Sequence, residues 1–151
     1  MNRYLTAFAL IALILPVPAL AAQESDEEWL EDCRDGWKGD YGRSRRHCEI
    51  REMGMKPPKG PLSVEPGMNG GVEITGWDRD SIALTARIQV QARTRDDAEA
   101  IARDIKIEVA GGVVRVTGGR SPYGRHQNWG VTFIVRVPRR TDLTLSTENG
   151  P

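Results

Sequence analysis

One piece of grammar, an alternating strand followed by a glycine turn, recurs along this chain and most restricts what it can become. Ile107-Glu-Val109 leads through Gly111-Gly112 into Val114-Arg-Val116. Leu62-Ser-Val64 leads through Asn69-Gly70-Gly71 into Val72-Glu-Ile74. Leu143 and Leu145 alternate with Thr144 and Ser146 before Asn149-Gly150. Asn and Gly tolerate φ > 0, which two-residue hairpin turns require. The pattern predicts a mainly β chain with antiparallel strands. The last copy has its turn but no second strand, so the 151 residues read as a fragment of a longer repetitive protein.

Two longer strands stand out between these copies. Ile82, Leu84, Ala86, Ile88, Val90 and Ala92 alternate with Thr85, Arg87, Gln89, Gln91 and Arg93, which predicts one buried face and one wet face. Val131, Phe133, Val135 and Val137 repeat the alternation up to Pro138, which cannot donate to a ladder. A short helix is expected at about 94–106. Thr94 suits its N-cap, Asp96 and Asp97 suit the positive end of the helix dipole, and Thr94-x-x-Asp97 resembles a capping box. Ala98, Ile101, Ala102 and Ile105 fall at i, i+3, i+4 and i+7, a narrow apolar stripe for packing on a sheet.

The first 21 residues stand apart from this pattern. Arg3 precedes an apolar run from Leu5 to Leu15, Pro16 and Pro18 break any helix, and Ala19-Leu20-Ala21 is a small-x-small cleavage site. This is the signature of a secretory signal peptide, cut at Ala21/Ala22 or Ala22/Gln23. The run is shorter than the roughly 20 residues of a membrane span; no later stretch approaches that length, so after cleavage no stable membrane insertion is expected. The protein is expected to be exported, to the periplasm, the cell envelope or the medium.

Cleavage removes Arg3 alone among 21 basic residues set against 21 acidic ones, leaving the balance one unit negative. Such neutrality gives no global reason to expect an anionic membrane as a partner, and no nucleic-acid partner is expected. Residues 22–61 read as an N-terminal extension, acidic and mobile at 22–28 and ending in the Pro-rich linker Met55 to Pro61. Residues 62–151 read as the β-rich domain.

The extension holds both cysteines, Cys33 and Cys48. In an oxidising compartment a disulfide is the default for such a pair. A zinc site using Cys33, Cys48, His47 and His126 is the alternative; it lacks the close ligand spacing of structural zinc sites.

Val72-Glu-Ile-Thr-Gly-Trp-Asp-Arg-Asp80, Trp129 with its following strand, Val137-Pro-Arg-Arg-Thr-Asp-Leu143 and Glu148-Asn-Gly150 together resemble the bacterial putative adhesin family. Cys33 and Cys48-Glu-Ile-Arg-Glu52 resemble the N-terminal extension that some members carry. The resemblance runs from about residue 29 to the end. It implies an exported protein that leads into a stacked β-solenoid of Asn-Gly repeats, cut off here at the first of them. It supplies no catalytic residue and no cofactor.

Few residues of the chain form a recognisable chemical constellation. His47 and His126 sit in polar, Arg- and Gly-rich surroundings and read as exposed loop residues, without the positioned partners of a general base. Asp78-Arg-Asp80 reads as a charged turn, since calcium takes six or more oxygens. Arg43, Arg45 and Arg46 read as a solvated loop, with phosphate or polyanion binding as the alternative. Ser121 to His126 is a long polar loop, and Tyr123, Arg125 and His126 are its candidate contact residues. The leading expectation is a non-catalytic, cofactor-free adhesion or envelope scaffold with an unidentified surface partner, self-associating through its C-terminal strand edge. The alternative is a small periplasmic ligand-binding or hydrolytic domain with a loop-built site.

Overall fold

The computed structural model describes residues 24–35, 45–119 and 127–148. The signal segment, Arg43, the loop residues Tyr123, Arg125 and His126, and the Asn149-Gly150 turn lie outside the described residues. The elements are α1 (Asp26–Asp35), β1 (Arg45–Met55), β2 (Leu62–Glu65), β3 (Val72–Trp77), β4 (Ile82–Ala92), α2 (Arg95–Asp104), β5 (Lys106–Ala110), β6 (Val113–Thr117), β7 (Asn128–Pro138) and β8 (Leu143–Leu145).

The chain is mainly β, in two four-stranded sheets. The first has the order β1-β4-β7-β3 and the second β5-β6-β2-β8. Both are mixed rather than purely antiparallel. β1 and β7 run antiparallel to β4, but β3 runs parallel to β7, and β2 runs parallel to both β6 and β8. Local alternation defines a strand and one buried face, but it carries no information on the direction of the partner.

Of the two turn copies among the described residues, one is a hairpin. Gly111 and Gly112, at φ 59° and 81°, join β5 to β6, pairing Ala110 with Val113. The turn at Asn69 (φ 54°) instead carries the chain from the second sheet to the first, so β2 and β3 do not pair. β8 covers three residues, Leu143 to Leu145, and the solenoid expected beyond it is not seen among the described residues.

The core lies between the sheets. Leu84, Ala86, Ile88 and Val90 of β4 and Val131, Phe133 and Val135 of β7 meet Leu62 and Val64 of β2 and Val114 of β6. α2 packs on β1 and β4 and adds Ala98, Ile101 and Ala102, with Ile105 buried just beyond it. Its N-cap is as the sequence predicts: Thr94 Oγ1 accepts from the Asp97 amide at 3.1 Å. The helix is shorter than expected, closing where Ile105 turns extended, at φ −66° and ψ 119°.

The N-terminal segment departs most from expectation. The acidic stretch read as mobile begins a helix, and β1 pairs with β4 from Arg45 through Met55 as the edge of the first sheet. Residues 45–55 are therefore part of the sheet framework. The wet face expected for β4 is covered at Arg87, which is only 8% exposed beneath α1.

Candidate functional site

α1 is attached to the outer face of the first sheet by polar contacts. Arg87 Nε donates to Asp26 Oδ1 at 3.0 Å, and its Nη1 donates to Glu24 Oε2 at 2.8 Å. Nη2 donates to the Glu24 carbonyl at 2.8 Å, and the guanidinium lies 5.5 Å from the centre of the Trp29 ring. Such a cation over an indole adds attraction to the ion pairs. At the other end of the helix Cys33 is bridged to Cys48 of β1, with their Cα atoms 6.3 Å apart. The bridge takes both sulfurs out of the zinc set considered above. A concavity of about 250 Å³ beside Arg87 is lined by Glu24, Asp26 and Arg87 together with Glu73, Thr85 and Arg136 of the sheet face. With Arg87 saturated by α1, it reads as a structural joint.

The opposite face of β1 meets α2. Arg51 Nη1 donates to the Ile105 carbonyl at 2.6 Å, and Nη2 donates to the Ala102 carbonyl at 2.7 Å and to Glu49. A cation thus sits on the negative end of the α2 dipole and satisfies carbonyls left open at the helix end. His47 Nε2 lies 2.9 Å from Glu49 Oε2. Partial burial pushes the Glu49 carboxyl up, but hydrogen bonds from His47 and Arg51, with their charges, outweigh it and hold the group below its usual value. His47 is therefore a half-buried strand residue, not the loop histidine expected.

This arrangement sets a pH dependence. A carboxyl whose folded-state value is depressed stabilises the fold above its unfolded value and loses that contribution as pH falls through the folded one. Glu49→Gln should lower stability at neutral pH by about 1 kcal/mol, a charge-assisted hydrogen bond discounted for exposure. The gap should close as the pH drops well below 4.5, the ordinary glutamate value. Urea titrations of both proteins across that window check this. Parallel curves throughout would show that the Glu49 charge is not the linked group.

Around the first residues of β1 lies a larger cleft of about 490 Å³. Arg34 reaches it from α1, Arg45, Arg46 and His47 from β1, Gln91 from β4 and Arg95 from the first residue of α2. Cys48 forms part of its wall, so the disulfide holds two of its sides together. Arg45 and Arg46 lie on opposite faces of the strand, and the cleft wraps its edge. Arg46 Nη1 is held by the Cys33 carbonyl at 3.2 Å, and Arg95 pairs with Glu99 on its own helix at 3.0 Å. Among the described residues Arg34 and Arg45 have no ion-pair partner. Sequence inspection reached Arg45 and Arg46 but set them aside as a solvated loop. It missed Arg34 and Arg95, which lie far away in sequence and are brought near by the disulfide and the β1–β4 pairing.

Asp78 is ion-paired to Arg139 at 2.6 Å, and that hydrogen bond holds its carboxyl below the usual range. At the far end of the second sheet, β8 lies parallel to β2 with Leu143 opposite Leu62 and Leu145 opposite Val64. Leu62 and Val64 are fully buried, whereas Leu143 and Leu145 are 38% and 50% exposed. The Leu62 amide donates to the Asp142 carbonyl and the Ser146 amide to the Val64 carbonyl, which turns the amides of Leu143 and Leu145 away from β2.

No protein-family model matches this chain. No curated protein matches it either. Among solved structures it is similar to a putative lipid binding protein from Parabacteroides distasonis ATCC 8503, at 16% identity and a TM-score of 0.42, covering 69% of this chain and 39% of that one. It is also similar to a putative adhesin from Bacteroides fragilis NCTC 9343, at 13% identity and a TM-score of 0.34, covering 68% of this chain and 41% of that one. The chain thus matches about two fifths of the length of each.

Proposed function

We propose that this chain is an exported, non-catalytic β scaffold of the adhesion or envelope type, working by strand addition at the edge of its second sheet. The observation that supports this is the ladder β6-β2-β8. Val114, Val64 and Leu145 lie side by side across three parallel strands, buried at one end and half-open at the other. Among the described residues β8 has no neighbour beyond it, and an edge with outward amides and exposed leucines is a template for a further strand. The Cys33–Cys48 bridge is consistent with export, since such bonds persist in oxidising compartments.

The test is sedimentation of the protein over a wide concentration range, beside Leu145→Lys. The unaltered chain should associate as concentration rises, and a charge on the edge should keep it monomeric. Hydrogen exchange should show residues 143–145 opening far more readily than β4. A monomer at every concentration, with β8 as protected as β4, would sink the reading.

A second reading, a ligand-binding domain, is favoured by the arginine-lined cleft at the disulfide. It assigns the edge of β1, not that of β8, as the working surface.

A further inference from the structure

We infer that the cleft around Arg34, Arg45 and Arg95 binds a phosphate-bearing ligand, an assignment that rests on the second reading above. Charge placement is the first argument. The chain carries no net charge, yet four guanidinium groups and an imidazole line one concavity. Elsewhere Arg87, Arg115 and Arg139 each lie within 3.0 Å of a carboxylate from another part of the fold, and Arg51 pairs with Glu49 on its own strand. Arg34 and Arg45 have no such partner among the described residues, as is also true of Arg93, Arg103 and Arg140; what sets them apart is that they line one cleft together with Arg46 and Arg95. Among the described residues the nearby carboxylates do not fill the gap. Glu49 is committed to His47 and Arg51, Glu99 to Arg95, and neither Asp35 nor Asp96 lines the cleft.

Geometry is the second argument. Guanidinium forks match the oxygens of a phosphate group, and several converging on one anion share its charge. The four arginines come from three elements, α1, β1 and α2, so they approach from different directions as a tetrahedral anion requires. Arg95 opens α2, which places the positive end of that helix dipole on the same side. Arg46 is positioned in advance by the Cys33 carbonyl, and the disulfide fixes the α1 side of the cleft against the β1 side. A site built this way needs little rearrangement on binding, which limits the entropic penalty. The volume of about 490 Å³ falls in the range of small-ligand pockets and exceeds what a bare phosphate fills. A phosphate monoester or a lipid phosphate headgroup fits that space.

The experiment titrates the oxidised, full chain with inorganic phosphate at low salt by calorimetry. It then measures binding to vesicles of phosphatidylglycerol in phosphatidylcholine, with phosphatidylcholine alone as the blank. Arg34→Gln combined with Arg45→Gln is the test variant. Arg103→Gln, a basic residue in the last turn of α2, controls for general charge. We expect saturable phosphate binding of millimolar order or tighter. It should weaken at least tenfold in the test variant, stay unchanged in the control, and fall with added salt.

Vesicle binding lost in the same variant and competed by phosphate would assign a headgroup. Phosphate binding without vesicle binding would assign a soluble phosphate compound. Absence of saturable binding in both arms, or an equal loss in Arg103→Gln, would overturn the assignment. Circular dichroism of the variant guards against misfolding, and both substituted side chains are exposed, so the fold should persist. Neither substitution touches β8. Association that persists while phosphate binding fails would therefore remove the anion site and leave the scaffold reading standing.

Discussion

Phe133→Ala should lower the stability of this protein by about 3–5 kcal/mol, the usual range for emptying a buried aromatic site. Phe133 is fully buried in β7, flanked by Ala86 on β4 and Val72 on β3. Its ring is the largest side chain in the core, and Ala86 beside it cannot expand to fill the space left. Domains of this kind have roughly 5–15 kcal/mol in total, so the variant should approach the limit of folding. Phe133→Leu, which keeps much of the volume, should lose well under half as much. Urea unfolding of the three proteins settles the comparison. A loss below about 1 kcal/mol for the alanine variant would mean that the two sheets do not meet on this side chain.

The second large effect comes from the staple. Replacing Cys33 and Cys48 by serine opens a loop of sequence separation 15. The chain-entropy model gives about 3 kcal/mol for closing a loop of that size. The melting temperature should fall by on the order of 10 °C. The loss should be uneven along the chain. α1 loses its covalent attachment and keeps the Arg87 and Trp29 contacts and the Arg46 hydrogen bond to the Cys33 carbonyl, so its amides should exchange first. β4 and β7, held by the core, should stay protected until global unfolding. An unchanged melting point would show that the Arg87 contacts alone hold the helix.

These expectations concern parts of the fold that were unequally legible in the sequence. β4, β7 and α2 could be read because their apolar residues repeat at the period of a strand or helix and end in a single core. The β5–β6 hairpin was legible from Gly111 and Gly112, since that turn is closed by local geometry. α1 was not. Asp26–Asp35 holds only Trp29, Leu30 and Cys33 among charged residues, and it docks through Arg87, a residue that alternation assigns to solvent. β1 was missed for a related reason. Its inward positions include His47, Glu49 and Arg51, which satisfy one another and the end of α2 in place of an apolar face. The arginine cleft gathers residues from α1, β1 and α2, and no local window contains that set.

The parallel pairing of β2 has a consequence for the order in which the molecule can assemble. β2 pairs with nothing near it in sequence; one neighbour starts at Val113 and the other at Leu143. β3 likewise waits for Phe133 and its successors on β7. Closing such loops before any contact rewards them is slow, and β architectures dominated by distant pairs fold late. During synthesis, β2 and β3 therefore remain open while more than half of the described chain is still to come. Under the export proposed above, that delay is an advantage: topology itself holds off folding until the strands arrive on the far side.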